Sequence, residues 1–262
     1  MHCESPIGDG PGILAAMKIR TSLLVLAAML LPFAGPAQAE ITVDSPTVVE
    51  LFTSQGCSSC PPADRLLQEL ADRDDVLALG YHVDYWDYIG WADPFASRDS
   101  TMRQRSYGRA FDLRSVFTPQ MVVDGSVSLV GSRRREVNRA IDEAPGQRRH
   151  TVPVMVEQPD RDRFIVSLGA ADYDGEPADI VLVRYDASHV TEVARGENRG
   201  RTLTDVNVVR QFDVIGQWRG EAMTLSASMP VSDIPGGCAV IVQRPGHGAI
   251  LGAARIVVQP DS

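Results

Sequence analysis

TVVELFTSQGCSSCPPADRLLQELADRDDVLALGYHV, residues 47–83, gives the rest of the chain its frame. Residues 47–53 (TVVELFT) are β-branched and apolar on both faces, which predicts a buried strand. Leu66, Leu67 and Leu70 fall at helical spacing within residues 63–73, and residues 76–83 (VLALGYHV) predict a second strand. The three pieces make a β-α-β unit. Between its first strand and its helix stand Gly56, Cys57, Ser58, Ser59 and Cys60.

Moving toward the C-terminus, residues 97–113 read as a polar helix with Met102, Tyr107, Ala110 and Phe111 on its buried face. Residues 120–123 and 126–130 are short strands around Asp124-Gly125, a hairpin turn signal. Ser132 caps a helix to Ala144, which Pro145-Gly146 ends. From His150 the period changes to two, over residues 152–157, 164–169, 180–186, 208–215, 223–228, 239–243 and 250–258. The expectation is an α/β thioredoxin-like domain over residues 40–147, followed by an all-β, sandwich-like domain over residues 148–262.

Toward the N-terminus, Met17-Lys18-Ile19-Arg20 is a short positive region, residues 23–31 are apolar, and Ala37-Gln38-Ala39 is a small-x-small cleavage signal. Residues 1–39 are expected to be a signal peptide cleaved after Ala39, with residues 1–16 an over-extended start. A spanning helix needs roughly 20 apolar residues, and Pro32, Gly35 and Pro36 interrupt this run. The product is therefore expected in the periplasm or secreted, without a stable membrane anchor. The net charge of −9 argues against nucleic acid as a partner.

Outside the reducing cytoplasm disulfides persist, which gives the cysteine pair its reading. A helix N-terminus carries partial positive charge and stabilises a thiolate. Cys57 is then the attacking thiol and Cys60 the resolving thiol of an exchange reaction with exported protein thiols and disulfides. Thr118-Pro119 lies just ahead of the strand at residues 120–123, where a cis-proline would face the cysteines and offer backbone to a substrate chain. Glu50, an acid inside an apolar strand, is a candidate proton carrier, or else a residue on the open face or the partner of an arginine. Trp86 and Trp91 follow the second strand at its C-terminal end, where α/β sheets bind ligands, and are candidate walls of a substrate groove. No cofactor is expected.

Two other readings stay open. The cysteines could be a permanent staple in a module whose β-rich half holds a protein partner, or they could bind Cu(I) with His82, which soft thiolates favour. The charged loop from Arg195 to Arg201 could take a partner carboxylate. Cys238 opens an apolar strand and reads as a buried small hydrophobe.

Residues 48–70 (VVELFTSQGCSSCPPADRLLQEL), HVDYWDYIGW at 82–91, SVFTPQMVVDG at 115–125 and GENRGRTLTDVNVVR at 196–210 resemble the bacterial secreted family known as domain of unknown function 1223. The resemblance implies a thioredoxin-like fold and export; it supplies no reaction. A wider resemblance to thioredoxins carries over Cys57, Cys60, Pro119 and Glu50. Ser58-Ser59 departs from thioredoxin's own dipeptide, which leaves the direction of the redox reaction open.

Overall fold

The computed structural model describes residues 45–147, 151–160, 162–230 and 234–258. The signal peptide expected over residues 1–39 lies outside them. Strand β1 (Thr47–Thr53) is buried at every position, because both its faces are covered. Val49 and Leu51 pack on Leu66, Leu67 and Leu70 of helix α1 (Pro61–Ala71) and on Val137 and Ile141 of α3 (Arg134–Gln147). Val48 and Phe52 pack on Tyr81 of β2 (Val76–His82) and Tyr107 of α2 (Arg98–Ala110). A strand covered on both faces reads as a continuous apolar run, which is what residues 47–53 showed.

Helix α1 starts directly after Cys60, with Pro61 and Pro62 at its first two positions. Proline is tolerated there because no intrahelical partner awaits its missing N–H. Helix α2 is capped by Ser97, whose hydroxyl accepts from Ser100 N at 3.1 Å. Its buried face differs from the expected one: Met102 is exposed, and Arg103 and Gln104 are buried beside Tyr107. Helix α3 runs past Pro145 to Gln147, three residues beyond the end expected at Ala144.

β1 pairs in parallel with β2 and antiparallel with β3 (Gln120–Val123), which pairs with β4 (Val127–Val130). The sheet does not end at β2. Strand β8 (Thr202–Trp218) joins the outer edge of β2 through Gly80 and Val208, and brings with it β7 (Ala178–Glu192), β10 (Gly236–Gln243) and β11 (Ile250–Val258). The result is one mixed eight-stranded sheet in the order β11-β10-β7-β8-β2-β1-β3-β4. Strands β5 (Val154–Asp160), β6 (Arg163–Leu168) and β9 (Met223–Ser228) form a small second sheet. Phe164, Val166 and Leu168 share a core with Ile180, Leu182, Val240 and Val242 of the large sheet.

This overturns the expected fold class. The molecule is mostly β, and its two halves share a single sheet, so it is not an α/β thioredoxin-like domain followed by an all-β sandwich. The physical reason sits at the β2 edge. A Cβ on Gly80 would stand 3.2 Å from Val206 O, so glycine lets β8 approach closely. Asn207 Nδ2 then donates to Ala78 O at 2.9 Å and satisfies an edge carbonyl. Strands β7 and β8 also run to 15 and 17 residues, well past the 180–186 and 208–215 expected, because their long hairpin is paired through most of its length.

Candidate functional site

The segment from Ser54 to Cys60 joins β1 to α1 and is held from all sides by hydrogen bonds. Gly56 N donates to Ser54 Oγ at 3.0 Å and Cys57 N to Ser54 O at 3.1 Å. Gln55 N donates to Asp93 Oδ2 at 2.8 Å. Asn198, in the loop between β7 and β8, donates both hydrogens of its amide inward, to Gln55 O and Cys57 O, each at 2.9 Å. Cys57 and Cys60 form a disulfide with Cα atoms 5.4 Å apart.

Both cysteines are buried, at 1% and 0% exposure, while Ser58 and Ser59 lie exposed above them. An attacking thiol must be reached by its substrate, and here both sulfurs are covered. Cys57 Sγ is met by two hydroxyls, Thr118 Oγ1 and Ser59 Oγ, each at 3.3 Å. Trp86 Nε1 fixes the first of these by donating to Thr118 Oγ1 at 2.7 Å. The Thr118–Pro119 peptide bond is cis, and Pro119 O accepts from Gly131 N at 2.9 Å. Trp91 Nε1 donates to Gln55 Oε1 at 3.0 Å. Cys57, Cys60, Thr118, Pro119, Trp86 and Trp91 thus come together.

The start of α1 does not offer what a helix N-terminus usually does. Pro61 and Pro62 have no N–H, Cys60 N donates to Cys57 O at 3.2 Å, and Ala63 N donates to Cys60 O at 2.8 Å. Hydroxyls rather than first-turn amides face the Cys57 sulfur.

Glu50 is elsewhere. It is fully buried on the opposite face of β1 from α1, where its carboxylate accepts from Arg103 Nε at 2.6 Å and from the Tyr107 hydroxyl. It is therefore an arginine's partner and not on an open face, one of the readings its sequence position allowed. Cys238 is buried, and burial pushes its thiol up to about 12.

Beneath the cysteine loop lies a set of ionisable groups, most of which the sequence did not single out. His82 Nδ1 is 2.7 Å from Asp93 Oδ2, and His82 Nε2 is 3.9 Å from Asp205 Oδ1. Asp205 accepts from Gln55 Nε2 at 2.7 Å, and Asp64 Oδ1 accepts from Thr53 Oγ1 at 2.6 Å. Burial alone would lower the His82 pKa; the carboxylates of Asp93, Asp205 and Asp64 outweigh it and hold it at about 9. Burial, followed by the charge of Asp205, pushes Asp64 up to about 7. Asp84, two residues after His82, stands outside this set: its carboxylate accepts from Thr101 Oγ1 at 2.6 Å. Among the described residues, no group of three or more His, Cys, Asp or Glu could hold a metal ion.

Asn198 is the residue of the 195–201 loop that matters to the site. Asn198→Ala is expected to leave Gln55 O and Cys57 O buried without a donor and to cost about 1–3 kcal/mol of stability. It is also expected to speed reduction of the disulfide by dithiothreitol. An unchanged urea midpoint with unchanged reduction would count against the tether.

No curated protein matches the chain. A crystal structure of a protein from Agrobacterium tumefaciens is similar to it at 32% identity and a TM-score of 0.69, over 82% of this chain and 97% of that one. The family described as a protein of unknown function, DUF1223, matches residues 48–243. That stretch contains the whole cysteine loop, the Thr118 segment and Asn198, and the chain belongs to the DUF1223 family.

Proposed function

We propose that the chain is an exported thiol–disulfide oxidoreductase, acting on the thiols and disulfides of other exported proteins through Cys57 and Cys60. The observation that carries this reading is the Thr118 hydroxyl donating to Cys57 Sγ at 3.3 Å, with the Ser59 hydroxyl, which also donates to Thr118 O at 3.4 Å, equally close to the sulfur. A permanent staple needs no donors on its sulfur. A sulfur that becomes a thiolate does, because hydrogen bonds to the charged form favour it. The likeness to thioredoxins is proposed for these site residues alone.

Cys57 attacks a substrate disulfide and forms a mixed disulfide, and Cys60 then attacks Cys57 Sγ and releases the reduced substrate. Thr118 and Ser59 steady the Cys57 thiolate, and Trp86 and Trp91 stiffen the walls through Thr118 and Gln55. Glu50 is given no proton-transfer role, since its carboxylate oxygens are taken by Arg103 and Tyr107. Burial of both cysteines favours a second reading, a staple in a binding module, and the same experiment separates the two.

In an assay of disulfide exchange with a model peptide, the wild-type chain is expected to turn over. Cys57→Ser is expected to abolish exchange, and Cys60→Ser to accumulate mixed disulfide with the peptide. If the native disulfide resists dithiothreitol and both variants change only the unfolding midpoint, the oxidoreductase reading is wrong and the staple stands.

A further inference from the structure

The exchange reaction leaves one proton unaccounted for. When a substrate thiolate attacks Cys57 Sγ, the Cys57–Cys60 bond breaks and its electron pair leaves on Cys60 Sγ. In a site this buried, that thiolate is costly until it is protonated. The first turn of α1 has no N–H to spare for it, and the Thr118 and Ser59 hydroxyls face the other sulfur.

We propose that Asp64 is the proton donor and acceptor for Cys60 in this exchange, a role that rests on the oxidoreductase reading above. Cys60 has helical backbone angles, φ −78° and ψ −36°. Its side chain and that of Asp64, four residues on, therefore leave one face of the helix with Cβ atoms about 5–6 Å apart. Asp64 is half-buried and bonds inward to Thr53, at the end of the strand that leads into the cysteine loop.

Asp64 also stands between two spaces. Outside it is an open pocket of about 190 Å³, walled by Pro61, Gln68 and Thr204. On its other side is a much smaller space of about 10 Å³ bordered by Thr53, His82 and Asp205, at the lower limit of what one water needs. A proton taken up from solvent can reach Asp64 from the first, and the second ties it to the buried charges.

The groups facing Asp64 are Thr53 from β1, His82 from β2, Asp205 from β8, Asp93 from the segment after the 3-10 helix Asp84–Ile89, and Arg65 beside it on α1. Burial and the nearby acids raise its pKa to about 7, against the pull of Thr53 and His82. An acid poised near the working pH can run in both directions. For reduction of the chain, Asp64–COOH gives its proton to the Cys60 thiolate and becomes a carboxylate. For oxidation, the Asp64 carboxylate takes the proton of Cys60–SH as Cys60 Sγ attacks the mixed disulfide at Cys57, expelling the substrate thiolate.

The test is the rate at which dithiothreitol reduces the disulfide of the full chain between pH 5.5 and 9, corrected for the thiolate fraction of dithiothreitol. The corrected wild-type rate is expected to fall about tenfold or more as the pH rises through about 7. Asp64→Asn is expected to be slow at all pH values and to lack the inflection, and Asp64→Glu to restore part of both. Thermal midpoints guard against a folding explanation: Asp64→Asn removes a half-buried negative charge that faces Asp205 and Asp93, and is expected to melt no lower than wild type at pH 8. A wild-type profile without an inflection between pH 6 and 8, or an Asp64→Asn profile that keeps it, overturns the assignment while leaving the oxidoreductase reading in place. A wild-type disulfide inert to dithiothreitol removes both.

Discussion

Arg103→Ala is expected to lower the free energy of unfolding by about 3–5 kcal/mol, the range for breaking a buried ion pair by removing one partner. Arg103 is 4% exposed. Its guanidinium donates to Glu50 Oε1 at 2.6 Å and to Gln243 Oε1 at 3.0 Å, and it lies 5.3–5.7 Å from the ring centroids of Tyr107, Tyr81 and Phe212. Truncation leaves the Glu50 carboxylate buried with the Tyr107 hydroxyl as its remaining donor among these groups. The variant also cuts the tie between β1, α2 and β10, which stand far apart in the chain. The cost comes from the orphaned charge more than from the lost attraction, so Glu50→Gln with Arg103→Met, which removes both charges at similar volume, is expected to regain most of it. Urea midpoints of the wild type, the single variant and the double variant check this. A double variant as unstable as Arg103→Ala would mean that ring packing, not charge, is what Arg103 supplies.

The same network shows what the sequence could and could not disclose. Glu50 in an apolar strand announced an unusual acid, and a proton carrier, an open-face residue and an arginine's partner all fitted it. Arg103 decided between them, but it lies on a helix whose apolar period pointed to Met102 as buried. Periodicity reports which face is apolar, and it is silent about a face that buries a satisfied charge. The strands of the first half were legible because β1, β2 and β3 are covered on both faces and written in apolar residues. The partner of β2 was not, because strand pairing is made by backbone groups common to every sequence; only Gly80, mid-strand, hinted that another backbone came close. At the site, Cys57, Cys60, Thr118, Pro119, Trp86 and Trp91 could be named from local motifs. Asn198 and Asp205 could not, since they reach the loop from 141 and 150 residues away, across a sheet junction that was itself unforeseen.

Stability is expected to fall as the pH rises from about 6.5 to about 9, and the fall belongs to His82. Its pKa is about 9 in the folded chain against a reference value of 6.5, so within that window the folded state holds a proton that the unfolded state has lost. A group raised in this way contributes its stability in full below pH 6.5 and loses it as the pH climbs through about 9. One such proton gives a slope of about −1.4 kcal/mol per pH unit, and a total on the order of 3 kcal/mol. Asp64 acts with the same sign but earlier, between its reference value of 3.8 and about 7. Asp93, whose pKa is lowered because His82 and two backbone N–H groups outweigh its burial, acts with the opposite sign in acid. Above neutral pH the imidazolium therefore stands almost alone. His82→Gln keeps an N–H donor for Asp93 but carries no titrating proton, and its unfolding free energy is expected to be nearly flat from pH 7 to 9. Urea unfolding at intervals across that range gives both curves; parallel curves would show that the proton is not on His82, and that the carboxylates below the cysteine loop are not organised around a cation.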